Sequence, residues 1–339
     1  MSSTNPISRR DFVALAAMAA GAGLALPRSA RALLQESQPA TTVFTWKNVS
    51  ERARVAFEMG GNALVVGSGG SALLVDCKNA GYGSSLRAES EAFAGPLSWV
   101  VNTHHHADHT GGNAVFSKSS RLLAHQRAEP RILSQYDRYV SQIANLKDEL
   151  ARSSEPWAEK VLSDSSSFID NLSQVEAADF GPNDLVTDAG RELRVGELRV
   201  ELVHIGAGHT DNDLFIQIAG LNLIHTGDLV FHKLHPFFDR PAGANIDGWI
   251  GSLEAIADRC NDKTVVVPGH GEITDVTGVR AQIDYFKKTR DAVQKAINDN
   301  KTRDQVMEMT FPHFEGVGFE QLRGRLLGGV YDELTEKKR

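Results

Sequence analysis

Thr103-His104-His105-His106-Ala107-Asp108-His109 sets imidazoles and a carboxylate directly after an apolar run, residues 97–102. That run, rich in β-branched and aromatic side chains, reads as a buried strand. The histidine stretch therefore sits at a strand end, where loops carry chemistry on a rigid scaffold. In extended chain, residues two apart point the same way. His104 and His106 can grip one ion together, while Asp108 and His109 follow as the backbone turns and can face a second. His105 lies between two ligands and points away from them, which reads as packing or as support for a ligand.

Working outward, four more strand-like stretches end at a similar group. Residues 198–205 lead to Gly206-Ala207-Gly208-His209, residues 221–226 to Gly227-Asp228, residues 264–267 to Pro268-Gly269-His270-Gly271, and residues 72–75 to Asp76. A glycine beside His209, Asp228 and His270 permits sharp turns and close backbone approach. A catalytic metal site wants imidazole and carboxylate ligands converging from such loops, with one position left for water. A surface histidine cluster would need a separate accident for each of these segments.

The His-x-His-x-Asp-His run at 104–109, Gly208-His209-Thr210, Thr226-Gly227-Asp228 and Pro268-Gly269-His270-Gly271 resemble, in that order, the motifs of the metallo-β-lactamase superfamily of hydrolases. The resemblance extends over residues 43–275. It implies an α/β fold, a four-layered αβ/βα sandwich with the metals at one edge of paired sheets. It implies two zinc ions, the first on His104, His106 and His209, the second on Asp108, His109 and His270, with Asp228 bridging them. A hydroxide held between the ions would then attack a carbonyl bond (ester, lactone, thioester or amide) in a small substrate, with Asp108 placed to shuttle a proton. Asp76 is expected to organise hydrogen bonds to the loops, not to bind metal.

Asp228 bears on the substrate. In the zinc β-lactamases of this superfamily a cysteine or serine takes that place, whereas an aspartate resembles glyoxalase II, lactonases and other hydrolases. Glyoxalase II fits poorly, because its glutathione thioester is cytosolic and this chain carries an export-like N-terminus. β-Lactamase-like activity is one alternative. Iron-dependent redox chemistry is another, although the di-iron relatives carry a glutamate in place of an early histidine, and imidazoles at His104 and His106 favour zinc. A non-catalytic binding protein on the same fold is a third, against which the complete ligand set argues.

The loop Phe231-His232-Lys233-Leu234-His235-Pro236-Phe237-Phe238 follows Asp228 and is expected to line the pocket, with Lys233 and His235 as substrate-binding residues and the aromatics as an apolar wall. His225 reads as structural, His204 as either orienting a ligand or buried in the core, His125 as finishing a strand on the surface, and Trp249 as core. Cys77 and Cys260 each flank a strand-like run and read as buried free thiols, too few for a disulfide scaffold.

The rest of the chain alternates strands and helices. Strands are expected at residues 54–58, 61–66, 71–76, 97–102, 121–125, 193–195, 198–204, 214–219, 221–226 and 264–267, with helices at 84–94, 246–259 and 278–298. Residues 127–178 are polar and helix-forming and read as an insertion of two or three helices, possessing apolar positions at helical spacing from Ile132 to Leu146.

At the N-terminus, Ser8-Arg9-Arg10-Asp11-Phe12-Val13 precedes an apolar stretch from Phe12 to Leu26 and the small-residue pattern Ala30-Arg31-Ala32. This resembles a twin-arginine export signal over residues 1–32, followed by a hydrolase domain at 33–339. The expected location is periplasmic or secreted, with the twin-arginine export machinery as a partner and no stable membrane association after cleavage. The chain is 41% hydrophobic and 23% charged, an ordinary globular composition. Its net charge is −7, and loss of residues 1–32, with four arginines and one aspartate, takes it to −10. No basic stripe is available to displace counterions, so nucleic acid is not an expected partner.

Overall fold

The computed structural model describes residues 42–336. The export segment expected at 1–32 lies outside the described residues. Two sheets form the centre. The first has seven strands in chain order: β1 (Thr45–Ser50), β2 (Ala53–Phe57), β3 (Ala63–Ser68), β4 (Ser71–Val75), β5 (Leu97–Val101), β6 (Arg121–His125) and β7 (Asp184–Val186). Pairing is antiparallel from β1 to β4 and parallel from β4 to β7. The second has five, ordered β12 (Val265–Val267), β11 (Leu223–His225), β10 (Phe215–Ile218), β9 (Leu198–Val203) and β8 (Arg191–Val195), with only β11 and β12 parallel.

The apolar residues explain the layering. In β3 and β4, Leu64, Val66, Leu73 and Val75 face the second sheet and meet Val200, Ile216 and Val267, while Val65 and Leu74 face outward. Both faces are covered, so these strands are near-continuous hydrophobic runs and not simple alternations. The outward face packs under α1 (Gly83–Ala94), α4 (Tyr136–Ala151) and α5 (Ala158–Asp170). Beyond the second sheet, α7 (Ile246–Arg259), α8 (Val276–Asn298) and α10 (Arg323–Glu336) bury Trp249, Phe286 and Leu326. The result is the four-layered helix–sheet–sheet–helix sandwich that the motifs imply.

The helical insertion comprises α3 (Ala128–Leu133), α4, α5 and α6 (Ala177–Phe180), one short helix more than the pattern suggested. Helix α4 buries Tyr139, Ile143, Leu146 and Leu150, an i, i+4, i+7 stripe that fixes it to the sheet. Strand β7 is too short and polar to stand out in the sequence. His125 is not on the surface as expected. It ends β6 fully buried, with Nε2 2.9 Å from Asp188 and its ring stacked 4.3 Å from His204. His204 Nδ1 bonds the Asp213 carbonyl at 2.8 Å, so it serves the fold. Trp249 is core, donating from Nε1 to the Leu229 carbonyl at 2.8 Å. Both cysteines are free, Cys77 buried and Cys260 half-buried. No helix among the described residues is long and apolar enough to cross a membrane.

Candidate metal centre

Asp76 leaves β4 in a left-handed conformation, φ 65°. This turns its carboxylate under the loop that follows β5. Oδ1 accepts from the Thr103 amide and Oδ2 from the Thr103 hydroxyl, both at 2.8 Å, and Oδ2 also lies 2.7 Å from His109 Nδ1. The Thr103 hydroxyl spends its proton on Asp76, so its oxygen accepts from His104 Nδ1 at 3.0 Å. One carboxylate thus fixes two imidazole tautomers. Both His104 and His109 turn Nε2 toward the same space, and neither Nε2 has a hydrogen-bond partner although both are buried.

The other groups converge there. His106 Nδ1 lies 3.0 Å from His209 Nε2, and Asp239, 2.9 Å from His106 Nε2, takes the proton on the far side of that ring. Asp228 is central: Oδ1 is 3.1 Å from His109 Nε2, and Oδ2 is 3.4 Å from His209, 3.4 Å from His270 and 3.8 Å from His104. Asp108 Oδ2 lies 3.1 Å from His270 and 3.5 Å from His109. Donor atoms of His104, His106, His209 and Asp228 sit within 4.8 Å of one another, as do those of Asp108, His109 and His270. Ligands about 2.0–2.1 Å from a tetrahedral ion are separated by about 3.3 Å, which matches these spacings. Orphaned lone pairs facing carboxylates at that separation fit a metal cofactor.

Close packing holds the frame. A Cβ on Gly61 would fall 2.1 Å from the His109 ring, and one on Gly269 2.0 Å from Asp228 Oδ1. The Gly61 amide donates to the Asp108 carbonyl at 3.0 Å. Lys78, wholly buried, clamps the same turn by donating to the Ala56 and Gly61 carbonyls at 2.8 and 2.7 Å, and burial lowers its pKa to about 7.

Electrostatics divide the imidazoles. Burial lowers His104 well below its ordinary value and His209 to about 3. Burial also opposes charge on His109 and His270, but Asp228 and Asp108 outweigh it, raising His109 well above its ordinary value and His270 to about 9. Without a cation, these two rings take up protons to balance the carboxylates.

Lys233 and His235 are not among the residues lining this cleft. The segment hydrogen-bonds on both sides, His232 N to the His270 carbonyl at 3.0 Å and His235 N to the Gly318 carbonyl at 2.8 Å. That register turns Phe231 and Phe237 into the cleft and the other two out of it. Lys233 (φ 60°) lines a separate cavity of about 200 Å³, and His235 is buried against Tyr285 Oη at 2.6 Å. His105 is buried on Asn212, and His225 accepts from the Gly227 amide at 3.1 Å and meets the Asn62 carbonyl at 3.0 Å. Asp239 and Thr103 were not singled out in the sequence. Asp239 belongs to no motif, and Thr103 signalled only by preceding His104.

A sequence profile of the Metallo-beta-lactamase superfamily matches residues 56–270, and the chain belongs to that superfamily. It is 30% identical over 83 residues to the metallo-beta-lactamase type 2 of Bacillus cereus, 24% of this chain and 32% of that one. The chain thus spans about a third of the length of the curated relatives it matches. Among solved structures it resembles a metallo-beta-lactamase from Pontibacter korlensis (16% identity, TM-score 0.51, 72% of this chain and 99% of that one). It also resembles a stereoselective inverting sec-alkylsulfatase from Pseudomonas sp. (15% identity, TM-score 0.60, 85% and 50%). At such identities the likeness concerns the fold.

Two outcomes follow from this geometry. Asp76 accepts three hydrogen bonds on two oxygens, so Asp76→Asn is expected to weaken metal affinity about 10–100-fold, whereas Asp239, which accepts one from His106, tolerates asparagine but not alanine. Competition titration against a chelator measures this, and equal effects of Asp76→Asn and Asp239→Asn would contradict it. Because the neighbouring carboxylates raise the pKa of His109 and lift that of His270 to about 9, metal uptake is expected to release protons near neutral pH, and affinity to rise with pH. Calorimetry in two buffers of different ionisation enthalpy reads the release; no buffer dependence would count against the proton assignment.

Proposed function

We propose that this protein is a zinc-dependent hydrolase, holding two ions, that cleaves a carbonyl bond (ester, lactone, thioester or amide) in a small substrate. The observation that carries the reading is the pair of buried, partnerless Nε2 atoms of His104 and His109 on either side of Asp228. His104, His106 and His209 would hold one ion, Asp108, His109 and His270 the other, with Asp228 between them. When bound, such cations supply Lewis acidity, acidifying water and polarising the scissile bond's oxygen.

The chain's own groups do the rest. Asp76 and Asp239 keep the imidazole lone pairs aimed inward. Asp108 is the one carboxylate of the set with substantial access to the cleft, its side chain 32% exposed against 3% for Asp228. It is therefore placed to take a proton from an incoming nucleophile and return it to the leaving group. The cleft over these residues has a volume of about 590 Å³, the size of a small-molecule site, and Phe231 and Phe237 line it and limit water.

We further infer that the chain is exported to the periplasm or beyond by twin-arginine machinery, on the strength of Arg9-Arg10 and the apolar stretch behind them, and that it has no nucleic-acid partner.

Purified protein should hydrolyse members of a panel of chromogenic esters, lactones, thioesters and a cephalosporin. It should lose that activity to a chelator and regain it with zinc; turnover by the metal-free protein would contradict the mechanism. For export, replacing Arg9 and Arg10 together by lysine should retain the full-length chain in the cytoplasm on cell fractionation, and unchanged appearance of the shortened form outside it would defeat that reading.

A further inference from the structure

The cleft above the histidines has two side walls that the metal set does not use. One comes from the helical insertion, with Arg131, Gln135 and Arg138, and the other from the C-terminal segment, with Phe319, Leu322 and Arg325. Arg131 is committed, its Nη2 lying 2.7 Å from Asp211. The other two arginines are held less tightly. Arg138 is exposed and makes no hydrogen bond or ion pair among the described residues. Arg325 sits over Phe237, its guanidinium carbon 3.8 Å from the ring centroid, and Phe237 in turn meets His106 edge-on at 5.4 Å. This contact holds the guanidinium at the mouth of the metal centre, and its other contacts are long. Nε reaches the Phe238 carbonyl only at 3.4 Å, and Nη2 stays 3.9 Å from Asp239, beyond hydrogen-bond range.

Against a net charge of −7, this cleft carries one exposed arginine, Arg138, without a partner among the described residues and a second, Arg325, whose nearest carboxylate is 3.9 Å away. The carboxylates that face them, Asp108, Asp228 and Asp239, are already engaged by His270, His109 and His106. The apolar lining includes Phe231 and Phe319, whose rings lie 5.0 and 5.9 Å from His270, together with Leu322. Phe319 is 36% exposed, a large apolar side chain left open on the cleft wall.

We propose that Arg138 and Arg325 bind an anionic group of the substrate, remote from the scissile bond, while the apolar wall takes the carbon chain between them. The substrate class is then an amphipathic anion with a hydrolysable carbonyl bond at one end and a carboxylate or other oxyanion at the other. Guanidinium groups suit this, because their forked donors match the two oxygens of such a group and stack on aromatic faces. The proposal rests on the hydrolase reading above and names its substrate class.

The test compares zinc-loaded wild type with Arg138→Ala, Arg325→Ala and the double variant on two p-nitrophenyl esters of equal chain length. One is the neutral hexanoate and the other the mono-ester of adipic acid, which ends in a carboxylate. The quantity read is the ratio of kcat/KM for the anionic ester to that for the neutral one, so a general loss of activity cancels. Wild type should favour the anionic ester about tenfold, about 1.4 kcal/mol, and the double variant should bring the ratio toward one. A wild-type ratio near or below one, or a ratio unmoved in the double variant, overturns the proposal. Arg325→Lys keeps charge but loses the fork, and should retain part of the preference.

A second readout is independent of turnover. Calorimetric binding of octanoate, octyl sulfate and octyl phosphate is compared with octanol, on wild type and on the double variant, with and without zinc. Binding that prefers the anions and weakens about tenfold in the double variant supports the arginine site, and the three headgroups separate carboxylate from sulfate and phosphate. Anion binding that is equal in wild type and double variant overturns it. If neither ester is hydrolysed but arginine-dependent binding persists, the hydrolase reading fails and the anion site stands. If both are hydrolysed at equal rates by wild type, the reverse holds.

Discussion

Asp228 sits 3% exposed among imidazole nitrogens at 3.1–3.8 Å, and one of those rings, His109, is tied to Asp76 on its opposite side at 2.7 Å. A buried carboxylate facing lone pairs is costly unless positive charge stands between them. Without a cation the molecule answers by protonating His109 and His270 against the cost of burying charge. With one or two divalent ions the same arrangement becomes a ligand set. The surrounding structure can be understood as the means of keeping that charge demand in place.

The means are mostly backbone. Each ligand leaves a strand or a short turn at one edge of the paired sheets, and the strands are pinned by a core packed on both faces. The Asp76 carboxylate links the ends of β4 and β5, and Asn62 ties the β2–β3 turn to the Pro268 and Gly271 carbonyls at 2.9 and 2.8 Å. Segments far apart in sequence are therefore joined by direct hydrogen bonds, the kind of support a preorganised metal site requires. The helical insertion and the C-terminal helix contribute no ligand; they shape the cleft that lies over the ligands.

The convergence of these loops was legible because each combines a strand-like run, a glycine and a histidine or aspartate, so local pattern and chemistry coincide. Asp76 was also readable, as a polar group ending a buried run. Asp239, Arg138 and Arg325 were not, because only tertiary placement brings them to the cleft and none has a local signature. The loop after Asp228 shows the limit most clearly. Its sequence gives Lys233 and His235 the same standing as Phe237, and only the backbone hydrogen bonds to residues 270 and 318 decide which side chains face the cleft. His125 failed for a related reason: a polar residue at a strand end looks exposed until its partners, Asp188 and His204, arrive from other strands.

Anomalous scattering from crystals of the zinc-loaded protein, collected on both sides of the zinc edge, tests the central claim most directly. Two peaks are expected, one about 2.0–2.2 Å from nitrogens of His104, His106 and His209, the other at similar distances from Asp108, His109 and His270, with Asp228 touching both. Absence of any peak among these side chains, or a single ion held by a different set, would contradict it.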